Sequence, residues 1–310
     1  MKSLTNWIIS HKLIAIIVAI VVVAGISIPT ILSTNSKESG QVKDSNGVKQ
    51  LSFSKMATSG KTEIFYDVHS GGLQRSSEIR YIYLVKNGKI TTYTMPFSKV
   101  DAPWIRYADD NAKNNALNEM KKITGSSKDL SISMLKGKSD KQIIEWAKKL
   151  DYLTFKLSTN TDEQTWKNIS VAATDSKSEN YDAAHVDINA SRQSLSEQKY
   201  SAPKAYPLVL TVQDNGQNDN PTQNRLSFKY DELDVDRVDE AVTTSGDVIS
   251  NLVKGLKTEQ ERNQITFSAY QATVDGQSYA GLSDQFVTRV SDDKTQFVMD
   301  DSKSKLSTNN

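Results

Sequence analysis

The sequence predicts an α+β protein in which a single N-terminal transmembrane helix precedes a largely antiparallel, strand-rich soluble domain with two or three helical segments. The prediction rests on an uncharged apolar run at residues 13–32, and on short β-branched and aromatic runs separated by turn formers beyond residue 50. It also rests on two stretches, near 109–123 and from Ser139 onward, where apolar residues recur at helical spacing.

The N-terminal run, Leu13 through Ala24 and Gly25 to Leu32, has no charged side chain. At about 1.5 Å per residue, roughly 20 residues cross the ~30 Å hydrocarbon core of a bilayer. Backbone groups in lipid must bond within the segment, so a helix is expected despite its many β-branched residues. Pro29 falls near the far end, where a break costs little. A cleaved signal peptide would carry a shorter apolar region, about 7–15 residues, followed by a small-x-small site. Here Ser27 and Ser33 offer only weak cleavage sites, so an uncleaved signal-anchor is the expectation.

Lys2, His11 and Lys12 precede the run, and Trp7 suits an interfacial anchor; Lys37, Lys43 and Lys49 follow it, partly offset by Glu38 and Asp44. Lys12 abuts the apolar stretch directly, which favours a cytoplasmic N-terminus (residues 1–12) and an extracellular C-terminal domain, a single-pass arrangement in the cell membrane. Residues 33–50 have almost no apolar content and read as a flexible tether, because they cannot bury enough surface to offset the entropy of ordering. Residues 301–310 read as a disordered tail.

Residues 51–300 form the predicted domain, and its halves, 51–150 and 151–300, each combine strands and helices, which allows two subdomains divided near 150. Residues 64–68 read as a strand. Residues 78–86 and 90–95 flank Asn87-Gly88, the pair best suited to a two-residue type I′ hairpin turn because both tolerate positive φ. A helix over 109–123 sets Ala112, Ala116, Met120 and Ile123 on one face, with Gly125 ending it. Residues 130–135 read as a strand. Ser139 and Gln142 have capping-box spacing ahead of Ile143, Trp146, Ala147 and Leu150. Further strands are expected at 153–157, 166–173, 184–188, 208–212 and 225–230, then helical patterning over 235–256, then strands at 265–274, 285–290 and 296–299. Residues 214–222 read as a loop.

With charged residues at 24% and a formal net charge of +1, the chain lacks the basic excess of a nucleic-acid binder. Cysteine is absent, which removes disulfides, thiolate nucleophiles, thiolate metal sites and a lipidated cysteine. The Lys-, Ser-, Thr- and Asn-rich composition resembles that of bacterial envelope proteins. The histidines are His11, His69 and His185. Neither His69, in a Gly-rich turn, nor His185 has a Gly-x-Ser-x-Gly nucleophile elbow nearby, and two distant histidines make a poor zinc set.

The segment from Asp214 to Arg225 lacks the Gly and Glu of an EF-hand. The acidic cluster Asp231, Asp234, Asp236 and Asp239 reads as a charged helix start that complements the dipole. Ser-x-x-Lys recurs, as at Ser52, Ser133, Ser196 and Ser302, without a Lys-Thr-Gly companion, and no phosphate-binding glycine loop is found, so nucleotide binding is not expected. Carboxylate pairs leave no sequence signature. Glu119, Glu145 and Glu163 are the candidates for such a pair, with Trp104, Trp146 and Trp166 as rings that would stack on sugars; Trp146 has core spacing.

No catalytic residue, cofactor site or metal site is assigned. The expected role is a non-enzymatic binding or accessory module of the bacterial cell envelope, anchored in the lipid bilayer through residues 13–32 and contacting an envelope protein or wall polymer. The alternatives are a cell-wall hydrolase using paired carboxylates, or a sensor or regulator with a cytoplasmic domain.

Overall fold

The computed structural model describes residues 42–43, 48–68, 72–96, 110–159, 197, 199–214, 221–233, 257–301, 304 and 306. The expected membrane segment 13–32 and the elements expected at 166–173, 184–188 and 235–256 lie outside these residues. Among the described residues no helix is long and apolar enough to cross a membrane.

The elements in chain order are β1 (Val42–Lys43), β2 (Lys49–Ser52), α1 (Phe53–Thr58), β3 (Glu63–Val68), β4 (Ile79–Lys86), β5 (Lys89–Thr94), α2 (Asp110–Thr124), a 3-10 turn (Ile132–Leu135) and α3 (Asp140–Ser158). They continue with β6 (Ala205–Asp214), β7 (Pro221–Leu233), β8 (Lys257–Thr266), β9 (Tyr270–Val274), β10 (Gln277–Ser283), β11 (Phe286–Val290) and β12 (Thr295–Val298). The fold is therefore strand-rich with few helices, and its pairing is mostly antiparallel.

Nine strands form one sheet in the order β8-β7-β6-β5-β4-β3-β11-β10-β9, antiparallel at every pairing. A small second sheet, β1-β2-β12, contains a parallel pair, β2 with β12. Strands from before and after residue 150 thus interleave, and Leu150 itself is fully buried in the middle of α3.

The central strands are covered on both faces, which is why β3 is buried at five successive positions instead of alternating. On one face Ile64, Tyr66, Ile82 and Val287 pack against Met120 of α2, Leu130, Ile132, and Ile143, Trp146 and Leu150 of α3. On the other, Phe65, Tyr83 and Phe286 pack with Phe53 of α1, Phe228 of β7 and Phe297 of β12. Phe65 and Phe286 stack at 4.7 Å, and Phe53 meets Phe65 edge-on at 5.6 Å, geometries that add to the area term of burial.

The Asn87-Gly88 hairpin forms as expected. Lys86 pairs with Lys89 across it, and the turn residues have φ of 52° and 69°. Helix α2 ends where Gly125 adopts φ 82° and its N–H donates to the Lys121 carbonyl at 2.8 Å, the αL cap that glycine permits. The capping box is present in full: the Gln142 N–H donates to Ser139 Oγ at 3.3 Å, and the Ser139 N–H to Gln142 Oε1 at 2.9 Å.

Several expectations are corrected. Residues 153–157 are not a strand but the last turns of α3. Their alternation of Leu153, Phe155 and Leu157 is overridden by the stripe Leu150, Leu153, Leu157, and no Gly or Pro interrupts the helix. Residues 130–135 form a single bridge, Glu78 with Ser131, and then a 3-10 turn. The predicted strand 265–274 is divided: β8 ends at Thr266 and the chain re-enters as β9 at Tyr270.

The strand signal also extends into regions read as unstructured. β2 begins at Lys49, inside the stretch read as tether. Leu306, inside the stretch read as tail, packs against the second core, and its carbonyl accepts from the Leu210 N–H at 3.1 Å.

Candidate functional site

A protein interior tolerates buried polar groups only when they are paired or used. Three groupings stand out, each placed by a different pair of elements.

The first lies where β12 runs out beside α1. Asp300, 4% exposed, turns its carboxylate onto the N-terminal end of α1. Oδ1 accepts from both Ser52 Oγ and Ser54 Oγ, and the Ser54 N–H donates to the same carboxylate at 3.2 Å. Asn224 of β7 donates through Nδ2 to the Asp300 carbonyl at 3.1 Å, while its buried Oδ1 has no protein partner.

Beside them is a cleft of about 200 Å³, solvent-open part included, lined by Leu210, Asn224, Leu226, Ile265, Phe267, Leu282 and Asp300. It is walled mainly by apolar side chains and has room for about one water, whose natural partner would be Asn224 Oδ1. A Ser-Ser-Asp grouping suggests a nucleophile. Here, however, the serine hydroxyls donate to a carboxylate that is already committed to helix capping. Ser52 is also the N-cap of α1, its Oγ accepting from the Lys55 N–H. That capping role is what the Ser52 and Lys55 spacing reflects.

The second grouping joins α3 to β5. Asp151, 4% exposed, accepts from the Thr94 N–H at 2.9 Å through Oδ1 and from the Tyr200 hydroxyl at 2.9 Å through Oδ2. Burial and the neighbouring Asp151 charge both push the Tyr200 phenol well above its ordinary range, and burial lifts Tyr93 to about 12. Neither ring ionises near neutrality, and the Tyr200 hydroxyl acts as a neutral donor to Asp151. Tyr152 and Phe155 meet the Tyr200 ring edge-on at 5.0 and 5.5 Å.

The third links the start of α3 to β11. The Arg289 guanidinium donates to the Lys138 carbonyl at 2.7 Å and pairs with Asp140. It lies beside the buried Tyr66 hydroxyl at a geometry too poor to count as a hydrogen bond. Burial pushes the Tyr66 phenol upward and Tyr279 to about 12. Glu63 is also raised, first by burial and then by the Asp140 charge, against the opposing pull of Lys61. Lys138 sits over the Trp146 ring at 5.0 Å.

The candidates named from sequence are not brought together. Glu119 pairs with Lys122 and Glu145 with Lys149, each at 2.6 Å on an exposed helical surface. Bonding to Lys149 holds the Glu145 carboxyl below its usual range, the opposite of what a general acid needs. Trp146 is 9% exposed and belongs to the core. Asp231 lies in strand β7 instead of at a helix start, accepting from the Tyr206 hydroxyl at 2.6 Å. His11, His69, Glu163, His185, Trp104, Trp166, Asp234, Asp236 and Asp239 lie outside the described residues, as does 215–220 of the loop before Arg225. Among the described residues no group of three or more His, Asp or Glu side chains converges as a metal set.

Compared with protein-family models, with curated proteins and with solved structures, the chain matches none.

Proposed function

We propose that the chain is a membrane-anchored extracytoplasmic module of the bacterial cell envelope, which holds another envelope component without transforming it. The observation that carries this reading is the uncharged apolar run at residues 13–32, long enough to span a bilayer and followed by a polar segment leading into the folded domain. The character of the buried polar groups supports the second half of the reading. Asp300, Asp151 and Arg289 each tie two distant elements together, and each is occupied in doing so. The Asp300 cleft admits about one water and no substrate-sized molecule. With both faces of the central strands covered, the domain offers the edges of its sheet to a partner.

Fractionation of cells producing the full chain, or the same chain lacking residues 13–32, tests the anchor. The full chain is expected to stay with membranes through alkaline carbonate washing, and the deletion to become soluble. Release of the full chain by carbonate would sink the proposal. In vivo photo-cross-linking from exposed positions on the sheet edges then identifies what the domain holds.

A further inference from the structure

The second and the last strands of the folded body lie side by side and point the same way. β2 pairs in parallel with β12, with Lys49 opposite Thr295, Gln50 opposite Gln296, Leu51 opposite Phe297 and Ser52 opposite Val298. The Lys49 N–H donates to the Lys294 carbonyl at 3.0 Å, and the buried Lys49 ammonium reaches Ser291 Oγ. Immediately past the strands, the Asp300 carboxylate holds both Ser52 and Ser54. Next in the chain, Phe53 is fully buried between Phe65 and Phe286.

Parallel terminal strands respond to force in a particular way. A pull on the N-terminal segment draws β2 back toward its own start, while resistance from the C-terminal part draws β12 toward its own end. These directions are opposite along one axis, so the strands are sheared. In shear, all the ladder bonds, which run across the strands, are strained together, and none can open before the rest. Pulling both strands from a common end instead opens the bonds one at a time. The Asp300 contacts and the Phe53 plug sit so that β2 cannot slide toward its start without breaking them as well. β1, antiparallel to β2 through Val42 with Gln50 and Lys43 with Lys49, would peel first and shield nothing.

We infer that β2, β12 and the Asp300 lock form a mechanical clamp that keeps the domain folded when it is pulled through its N-terminal segment. The source of that force, a tether to the membrane, rests on the function proposed above. The clamp itself is a property of the fold and is measured without a membrane, so failure of the anchor and failure of the clamp are told apart.

The chain has no native cysteine, so introduced pairs define two pulling axes on the full-length protein in detergent, read by optical tweezers. Ser36→Cys with Asp301→Cys shears the pair; Ser36→Cys with Asp293→Cys peels it from the shared end of β2 and β12. The shear axis is expected to yield at roughly twofold higher force or more, since forced rupture reports the unfolding barrier along the pulled direction. Asp300→Asn is expected to lower the shear force, and Ser54→Ala, which keeps the carboxylate, to lower it by less. Equal forces on the two axes, or a higher force in peeling, would overturn the clamp. An unchanged shear force in both Asp300→Asn and Ser54→Ala would remove the lock from it.

Discussion

Among the described glycines Gly281 has the least room for a side chain, and a single methyl group there tests the β10–β11 geometry directly. A Cβ on Gly281 would stand 2.4 Å from the Ser283 carbonyl oxygen, 2.7 Å from the Phe286 carbonyl oxygen and 2.8 Å from Val287 Cγ1. Two of these atoms are backbone, one at the irregularity between Gly281 and Ser283 and one at the start of β11, so no rotamer change relieves them. Overpacking of this kind costs about 1–3 kcal/mol and occasionally more; because backbone must move, about 3 kcal/mol or above is expected for Gly281→Ala. For a domain of this size that corresponds to a fall in Tm of roughly 6–12 °C.

The matched control is Gly276→Ala. Gly276 has φ of 79° in the Asp275-Gly276 turn and nothing within 4 Å of its notional Cβ, so only backbone strain, about 1–2 kcal/mol, applies. Thermal melts of both variants of the full chain, followed by circular dichroism, make the comparison. A loss for Gly281→Ala no larger than that for Gly276→Ala would show that the close approach at the bulge is not real.

Two further outcomes follow from the buried polar groups. Asp151→Ala strands the Thr94 N–H and the Tyr200 hydroxyl together; with charge-assisted hydrogen bonds contributing about 1.5–3 kcal/mol each, a loss of about 3–6 kcal/mol is expected in denaturant melts, and a loss under 1 kcal/mol would refute the pairing. Glu63 has its folded pKa raised above the unfolded value by burial, so its ionisation opposes folding once pH rises through the folded pKa. Glu63→Gln should therefore melt higher than the parent at pH 7 and gain nothing at pH 3, where both states of the parent are protonated; a gain confined to acid would reverse the assignment.

Local chemistry in this sequence was legible wherever a few adjacent residues decide the outcome. Asn87-Gly88, the Ser139 and Gln142 capping box and the Gly125 stop each act through contacts within a turn, and each stands where the pattern puts it. Asp275-Gly276, with φ of 52° and 79°, closes the β9–β10 hairpin by the same chemistry and was equally readable. It was lost because β10, with Ser278, Gly281 and Ser283, lacks a strong apolar alternation. Leu153, Phe155 and Leu157 misled for the converse reason: a short alternating run satisfies both periods, and only continuity with Leu150 decides for the helix. β8, Lys-Thr-Glu-Gln-Glu-Arg-Asn-Gln-Ile-Thr, contains almost no apolar signal because it lies at an edge of the sheet. The candidate polar centres could not be read at all. Asp300 meets Ser54 across 246 positions and Asp151 meets Thr94 across 57, and only the folded sheet brings such partners together.

The placement of the domain outside the cell is tested most directly by protease treatment of intact protoplasts, probed with an antibody to the C-terminal half. Digestion of that half without lysis, while a cytoplasmic marker survives, is the expected result. Protection until the protoplasts are lysed would put the domain in the cytoplasm and contradict the proposed envelope role.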